Sequence, residues 1–242
     1  MAVLPFFLLS ACDGGPPLDQ SVQQSSASPG KSVWPPASPS GTKFVLSPNL
    51  LAKNFMVVFD QSGSMSERSC NDRSQTKTEA AKIALSEFSK TVPESSNLGL
   101  VIFDGHGINE KVPMGTGNEN RAKFLAQVQA SGPGGGTPLL SAVTLGFNKL
   151  LEQARKQLGY GEYHLVVVTD GEANSGQDPQ KVVEVAAKTP IMIHTIGFCI
   201  KGGHSLNQAG ITLYQEAGDL ASLQKGLRDV LAEAPSFDAK FQ

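Results

Sequence analysis

Five oxygen-bearing side chains stand out in three short polar segments of the chain. The segments are Asp60-Gln61-Ser62-Gly63-Ser64, Gly134-Gly135-Gly136-Thr137-Pro138 and Thr169-Asp170-Gly171. The five side chains supply two carboxylates and three hydroxyls without a histidine or cysteine, and such hard oxygen ligands suit Mg²⁺, Mn²⁺ or Ca²⁺ rather than Zn²⁺. The sequence therefore predicts a divalent-cation site formed by Asp60, Ser62, Ser64, Thr137 and Asp170.

These segments can form one site only if the fold brings them together. Continuous apolar runs predict buried strands at residues 54–60, 98–104, 163–170 and 191–199, with further short strands at 111–114 and 211–216. Helical spacing of apolar residues predicts helices at 77–92, 119–130, 138–158, 179–188 and 222–233. This alternation predicts an α/β fold, a doubly wound and mostly parallel central sheet flanked by helices. Ligands of such sheets bind at the carboxyl ends of the strands. We therefore expect Asp60, Asp104 and Asp170 to lie together at this end of the sheet, which we call the rim.

The three segments also resemble a known motif. Asp60, Ser62, Ser64, Thr137 and Asp170 match the metal-ion-dependent adhesion site of von Willebrand factor type A domains, and the resemblance covers about residues 50–235. It implies a central, mainly parallel sheet and one bound divalent cation, which the three hydroxyls approach directly and the carboxylates often reach through water. It also implies that a Glu or Asp of a protein partner completes the coordination.

Each segment has an ordinary structural alternative. Ser62 to Ser64 suits a turn after a strand, Thr137 before Pro138 suits a helix N-cap, and Asp170-Gly171 suits a turn. The joint order of the three segments favours the metal site. Asp104 before Gly105 suits a turn, with an outer role at the metal as the alternative, and Glu172 is a candidate for the surface that a partner contacts.

Composition and motifs exclude several other functions. The net charge is −2 and charged residues make up 17% of the chain, whereas nucleic-acid-binding proteins normally carry a basic excess. The chain lacks a phosphate-binding loop with its lysine, a dinucleotide fingerprint and a nucleophile elbow. We therefore predict a non-enzymatic protein that does not bind nucleic acid, and a Mg²⁺-dependent hydrolase is the minor alternative. The four histidines have no spacing typical of a zinc site, and His194 is expected inside a strand.

The N-terminus resembles that of a bacterial lipoprotein. A short apolar run at residues 2–9 leads to Leu9-Ser10-Ala11-Cys12, which is similar to a lipobox, although no Lys or Arg precedes the run. This resemblance implies a signal peptide at 1–11 and a lipid on Cys12, and Asp13 resembles an inner-membrane retention signal. The alternative is a buried or frayed segment with an incidental cysteine.

A polar segment separates this leader from the folded region. Residues 13–42 contain seven Ser, six Pro and four Gly, a composition typical of a flexible tether. We therefore predict a lipidated tether at 12–42 and a von Willebrand factor type A domain at 43–242. Trp34 lies in the predicted tether, where we interpret it as incidental, with docking onto the domain as the alternative.

Two further cysteines are expected near the rim of the sheet. Cys70 follows the first polar segment and Cys199 ends a predicted strand. In an oxidising envelope the two are candidates for a disulfide, and two separate free thiols are the alternative, because sequence does not give the Cα separation.

Together the two resemblances imply a membrane-anchored, divalent-cation-dependent protein-binding module of the bacterial cell envelope. The alternative is a structural scaffold of an envelope or surface-assembly complex, in which the metal only stabilises the fold. The two differ in what chelation does: it abolishes partner binding in the first and only lowers the melting temperature in the second.

Overall fold

The architecture is a six-stranded sheet between two layers of helices. The computed structural model describes residues 33–37, 44–200 and 203–233, so the predictions for Cys12, Asp13 and the leader lie outside the described residues. The strands are β1 (Lys53–Asp60), β2 (Asn97–Asp104), β3 (Gly107–Gly115), β4 (Glu162–Thr169), β5 (Ile191–Phe198) and β6 (Thr212–Ala217). The helices are α1 (Lys77–Thr91), α2 (Gly117–Ala130), α3 (Leu139–Lys156), α4 (Gln180–Ala186) and α5 (Leu220–Ala232).

The sheet has the predicted doubly wound, mostly parallel topology. Its strand order is β3-β2-β1-β4-β5-β6, and every neighbouring pair is parallel except β2 and β3. The central strands are buried on both faces, which explains their continuous apolar runs. One face packs on α1, α2 and α5, and the other packs on α3 and α4.

Two elements differ from the sequence-based prediction. Strand β3 runs over nine residues rather than the predicted 111–114, because it is a half-exposed antiparallel edge strand with polar side chains and a weak apolar signal. Helix α4 is shorter than predicted, and a 3₁₀ turn at Gly63–Ser66 follows β1. Among the described helices, none is long and apolar enough to cross a bilayer.

Trp34 packs against the domain, which overturns its interpretation as an incidental residue. Its ring meets Tyr163 edge-on at a centroid distance of 5.6 Å, and its indole Nε1 donates a hydrogen bond to the Gly159 carbonyl. Arg155 adds a hydrogen bond from Nε to the Pro36 carbonyl. The segment 33–37 therefore contacts the end of α3 and the beginning of β4, at the end of the sheet opposite the carboxyl ends of the parallel strands.

A buried histidine pair crosses the sheet between β4 and β5. Nδ1 of His164 lies 3.1 Å from Nε2 of His194, and the His164 ring stacks on Phe55. Burial lowers the pKa of His164 to about 3 and that of His194 to about 4, and for His164 the neighbouring His194 and Lys53 add to the effect. Glu162 and Glu233 approach the outer nitrogens of the pair, at 3.8 and 3.5 Å. Both imidazoles are therefore neutral in the folded protein at neutral pH.

Acid should destabilise the protein through this pair. Unfolded histidine has a pKa near 6.5, so below that pH the unfolded chain takes up protons that the folded core excludes, and stability falls as the pH drops from about 6.5 toward 4. The expected loss is about 2 kcal/mol per histidine between pH 7 and pH 5. Urea unfolding at several pH values should show a smaller loss in His194→Gln than in the wild type. Substitution of exposed His106 by Gln is the matched control, and equal pH slopes for His194→Gln and wild type would contradict the assignment.

Candidate functional site

Parallel register brings the two predicted carboxylates to the same rim of the sheet. Asp60 is the last residue of β1, and Asp170 directly follows β4. The two strands are parallel neighbours, and Phe59 pairs with Val168, so both chains leave the sheet at the same level. Both aspartates are buried at this rim.

Backbone hydrogen bonds join the glycine-rich segment to the first loop. The amide of Gly63 donates to the carbonyl of Gly135 at 3.0 Å, and the amide of Gly134 donates to the carbonyl of Gln61 at 2.8 Å. Gly135 has a φ of +76°, and a Cβ there would lie 3.1 Å from the Asp104 carbonyl oxygen. This position therefore requires glycine both for its left-handed backbone and for its close approach to β2.

The loop after β4 holds Thr137 from the other side. Asn174 Oδ1 accepts a hydrogen bond from the Thr137 amide, and the Asn174 amide donates to the Thr137 carbonyl. Helix α3 begins at Leu139 with Pro138 as its N-cap and with no side-chain cap, so the interpretation of Thr137 as an N-cap is wrong. Within the described residues the Thr137 hydroxyl makes no hydrogen bond, although the residue is only 9% exposed. That hydroxyl is available to a ligand.

The serine hydroxyls converge beside Asp170. Ser62 Oγ lies 3.2 Å from Ser64 Oγ, and Ser64 Oγ donates a hydrogen bond of 2.8 Å to Asp170 Oδ1. Neighbouring ligands of an octahedral Mg²⁺ lie about 3 Å apart, because each metal–oxygen bond is about 2.1 Å long. The spacing of these oxygens therefore suits a small divalent cation.

Both oxygens of each carboxylate already accept hydrogen bonds. Asp60 Oδ1 accepts from the Ser62 amide at 2.7 Å, and Oδ2 accepts from Thr169 Oγ1 at 2.6 Å. Asp170 Oδ2 accepts from Lys77 Nζ at 2.9 Å. Burial, followed by the nearby charge of Asp170, raises the pKa of Asp60 to about 6, against the opposing effect of its hydrogen bonds. The ionised form is therefore costly here, and a bound cation would offset that cost.

The donor set fits a hard divalent cation. It combines three hydroxyls with two acidic residues whose oxygens are already oriented by neighbours, an arrangement suited to an ion that keeps some of its water. The described residues contain no cluster of three or more His, Cys, Asp or Glu side chains arranged for a metal.

Comparison with known proteins identifies the family. The profile of the von Willebrand factor type A domain matches residues 54–223. The chain belongs to this family. The uncharacterized protein YwmC of Bacillus subtilis is 29% identical over 162 residues, which are 62% of this chain and 68% of YwmC.

Solved structures share the fold of this type A domain. The pilus adhesin SpaC from Lactobacillus rhamnosus GG superposes with a TM-score of 0.59 at 13% identity, covering 79% of this chain and 31% of the SpaC chain. The manganese-loaded TRAP protein of Plasmodium vivax has a TM-score of 0.52 at 15% identity, covering 75% of this chain and 74% of that one. This chain thus spans about a third of the SpaC chain.

Four residues beside the site were not foreseen from the sequence. Thr169 holds Asp60, Asn174 holds Thr137, and Lys77 bridges Asp170 and Glu67. Thr169 stood next to a predicted ligand at a strand end, which was a usable signal. Asn174 and Glu67 lie in loops and Lys77 begins a helix, and no sequence pattern around them indicates a site. Only the folded type A domain shows their roles.

Two acidic residues of the rim have structural partners. Asp104 Oδ1 accepts the amide of His106 at 2.7 Å, which supports the turn interpretation of Asp104. Glu172 Oε2 accepts the Ser205 hydroxyl at 2.9 Å, so its carboxylate is fixed against the loop that precedes β6. Glu172 borders the rim but is not bonded to the five candidate ligands.

Cys70 and Cys199 lie next to each other in the fold. Their Cα atoms are 5.6 Å apart, and the sulfurs are within bonding distance. Cys70 belongs to the loop between the 3₁₀ turn and α1, and Cys199 directly follows β5. We propose that the two form a disulfide in an oxidising compartment, and this bond would fix the loop that carries Glu67.

Peptide mapping should detect this bond. Protein purified under oxidising conditions and digested without reductant should yield a linked pair of peptides that separate on reduction. Because the bond closes a loop of 129 residues, the double variant Cys70→Ala/Cys199→Ala should lose about 2–4 kcal/mol of unfolding free energy. Cys12→Ser is the control that leaves the pair intact. Free alkylation of both thiols in the oxidised native protein would contradict the proposal.

Proposed function

We propose that the protein is a divalent-cation-dependent protein-binding module. The bound ion is Mg²⁺, with Mn²⁺ or Ca²⁺ as substitutes. Ser62, Ser64 and Thr137 would hold it directly, and Asp60 and Asp170 would act mainly through water. The observation that carries this proposal is the unpartnered Thr137 hydroxyl held beside two mutually close serine hydroxyls and a pair of buried carboxylates.

The electrostatics of the site explain why a partner's acidic group would bind there. Two buried carboxylates balance a divalent charge, but their oxygens are already occupied by hydrogen bonds from the protein. An ion held mainly by neutral hydroxyls and water keeps strong attraction for an additional anion. A Glu or Asp of a protein partner supplies that anion, and the interaction is stronger in a partly dry crevice than in bulk water.

Two proteins of the same fold support this proposal. SpaC is described as a pilus adhesin, and the TRAP protein was crystallised with manganese. Both share the fold of this chain, which is compatible with a binding role rather than catalysis. We accordingly propose a non-enzymatic role.

We further propose that the module is attached to a membrane of the bacterial cell envelope through a lipid on Cys12. The described segment 33–37 contacts the end of the sheet opposite the proposed metal site. A connection at that end of the sheet would keep the proposed tether away from Ser62, Ser64 and Thr137 at the opposite end. Stable attachment needs more than one acyl chain, because a single chain binds a membrane only weakly.

Calorimetry with Mg²⁺ or Mn²⁺ alone tests the metal site. The wild type should bind one ion, and Asp60→Asn should bind none at millimolar concentration. Because Asp60→Asn removes a buried charge beside Asp170, the metal-free variant should be at least as stable as the metal-free wild type. Asp104→Asn is the matched control, since it changes an aspartate of the same rim that belongs to a turn. Absence of ion binding by the wild type would refute the metal site.

The same variants separate the binding module from the scaffold alternative. In pull-downs from envelope extracts, chelation and Asp60→Asn should both abolish capture of the partner, whereas Asp104→Asn should not. Thr137→Val should weaken capture and Thr137→Ser should preserve it, because only the hydroxyl is required. Capture that persists without metal would favour a scaffold in which the ion only stabilises the fold.

Membrane attachment is tested separately by Cys12→Ser. The wild type should sediment with the membrane fraction and carry the added mass of its lipid, whereas the variant should be released or remain unprocessed. Unchanged fractionation together with unchanged mass would refute the lipid anchor while leaving the metal site unaffected.

A further inference from the structure

A fixed ammonium group already contacts the proposed metal site. Lys77 is the first residue of α1, and its side chain is only 8% exposed. Its Nζ donates hydrogen bonds of 2.9 Å to both Asp170 Oδ2 and Glu67 Oε2. Asp170 is fully buried at its side chain, whereas Glu67 is mostly exposed.

The position of Lys77 on its helix is electrostatically unfavourable. The first turn of a helix carries the positive end of the helix dipole, which favours acidic rather than basic side chains. Thr76 and Glu79 already form the capping box of α1, so the helix start does not need the lysine. The carboxylates that Lys77 contacts therefore account for its place better than helix stability does.

The surrounding loop holds the ammonium in place. The Lys77 amide donates to the Glu67 carbonyl at 2.8 Å, so Glu67 contacts Lys77 through both its backbone and its side chain. The contact of Cys70 with Cys199 anchors the same loop to the end of β5. Lys77 is thus positioned before any ligand arrives.

We propose that Lys77 is a built-in counter-cation that stabilises the metal-free site and lowers its affinity for the divalent ion. This inference rests on the proposed function, since it concerns the same site. In the metal-free protein the ammonium offsets the repulsion between the buried Asp60 and Asp170. When the ion binds, the Lys77 ammonium repels it and competes with it for Asp170 Oδ2, to which the ammonium donates a hydrogen bond. A partner's carboxylate restores negative charge, so partner and ion should strengthen each other's binding.

Removal of the ammonium should separate these two effects. Lys77→Met, which keeps the aliphatic stem, should bind Mg²⁺ and Mn²⁺ at least about tenfold more tightly than the wild type in calorimetry, because one opposing charge is lost. Its metal-free melting temperature should fall, and saturating Mg²⁺ should raise that temperature by more than it does in the wild type. Lys77→Arg keeps the charge and is the control, with an affinity close to that of the wild type.

A second variant keeps the test decisive if metal-free Lys77→Met fails to fold. Glu67→Gln changes a mostly exposed side chain and leaves Asp170 as the charged partner of Lys77. The positive charge of Lys77 is then no longer balanced by Glu67, so Mg²⁺ binding should weaken by a few-fold, opposite in sign to Lys77→Met. If the wild type binds an ion but Lys77→Met does not bind it more tightly, or if Glu67→Gln leaves the affinity unchanged, Lys77 is only a structural ion pair. If the wild type binds no ion, the proposed function fails as well.

Discussion

The parallel pairing of β1 with β4 creates the central physical constraint of this protein. It brings Asp60 and Asp170 to the same buried rim, where two carboxylates repel each other and lose hydration. Thr169, Ser64 and Lys77 offset this cost in the metal-free protein through hydrogen bonds and an ion pair. A rim that concentrates negative charge in this way is suited to a divalent cation.

The loops around this rim are fixed by the backbone more than by side chains. The loops that carry Ser62 and Thr137 are joined by amide–carbonyl hydrogen bonds between their glycine-containing segments, and Asn174 joins the third loop to Thr137. Such bonds fix the loops, and the Thr137 hydroxyl has no hydrogen-bond partner among the described residues. The oxygens that a metal needs are consequently preorganised, and little ordering is left to be done when an ion binds.

The two ends of the parallel strands have different chemistry. The carboxyl ends of the strands gather mostly buried hydroxyls, carboxylates and Lys77, whereas the opposite end of the sheet lies beside Trp34 and Pro36 near the end of α3. Between them the neutral His164–His194 pair is buried, with the His164 ring stacked on Phe55. Acid therefore acts on stability through two groups: protonation of the histidines in the unfolded chain lowers stability, whereas the raised pKa of Asp60 has the opposite effect and links stability in acid to the metal site.

Local sequence patterns determined the sheet-and-helix order and the three polar segments, because buried parallel strands need continuous apolar runs and strand ends need polar residues. They gave Asp60 and Asp170 as neighbours on a rim, but they placed β3 too short, since an exposed edge strand has little apolar signal. Only the tertiary structure decided that Lys77 bridges Asp170 to Glu67, that Asn174 holds Thr137 and that Trp34 docks on Tyr163. These contacts join residues far apart in the chain, and long-range contacts depend on how whole elements pack, which no local pattern encodes.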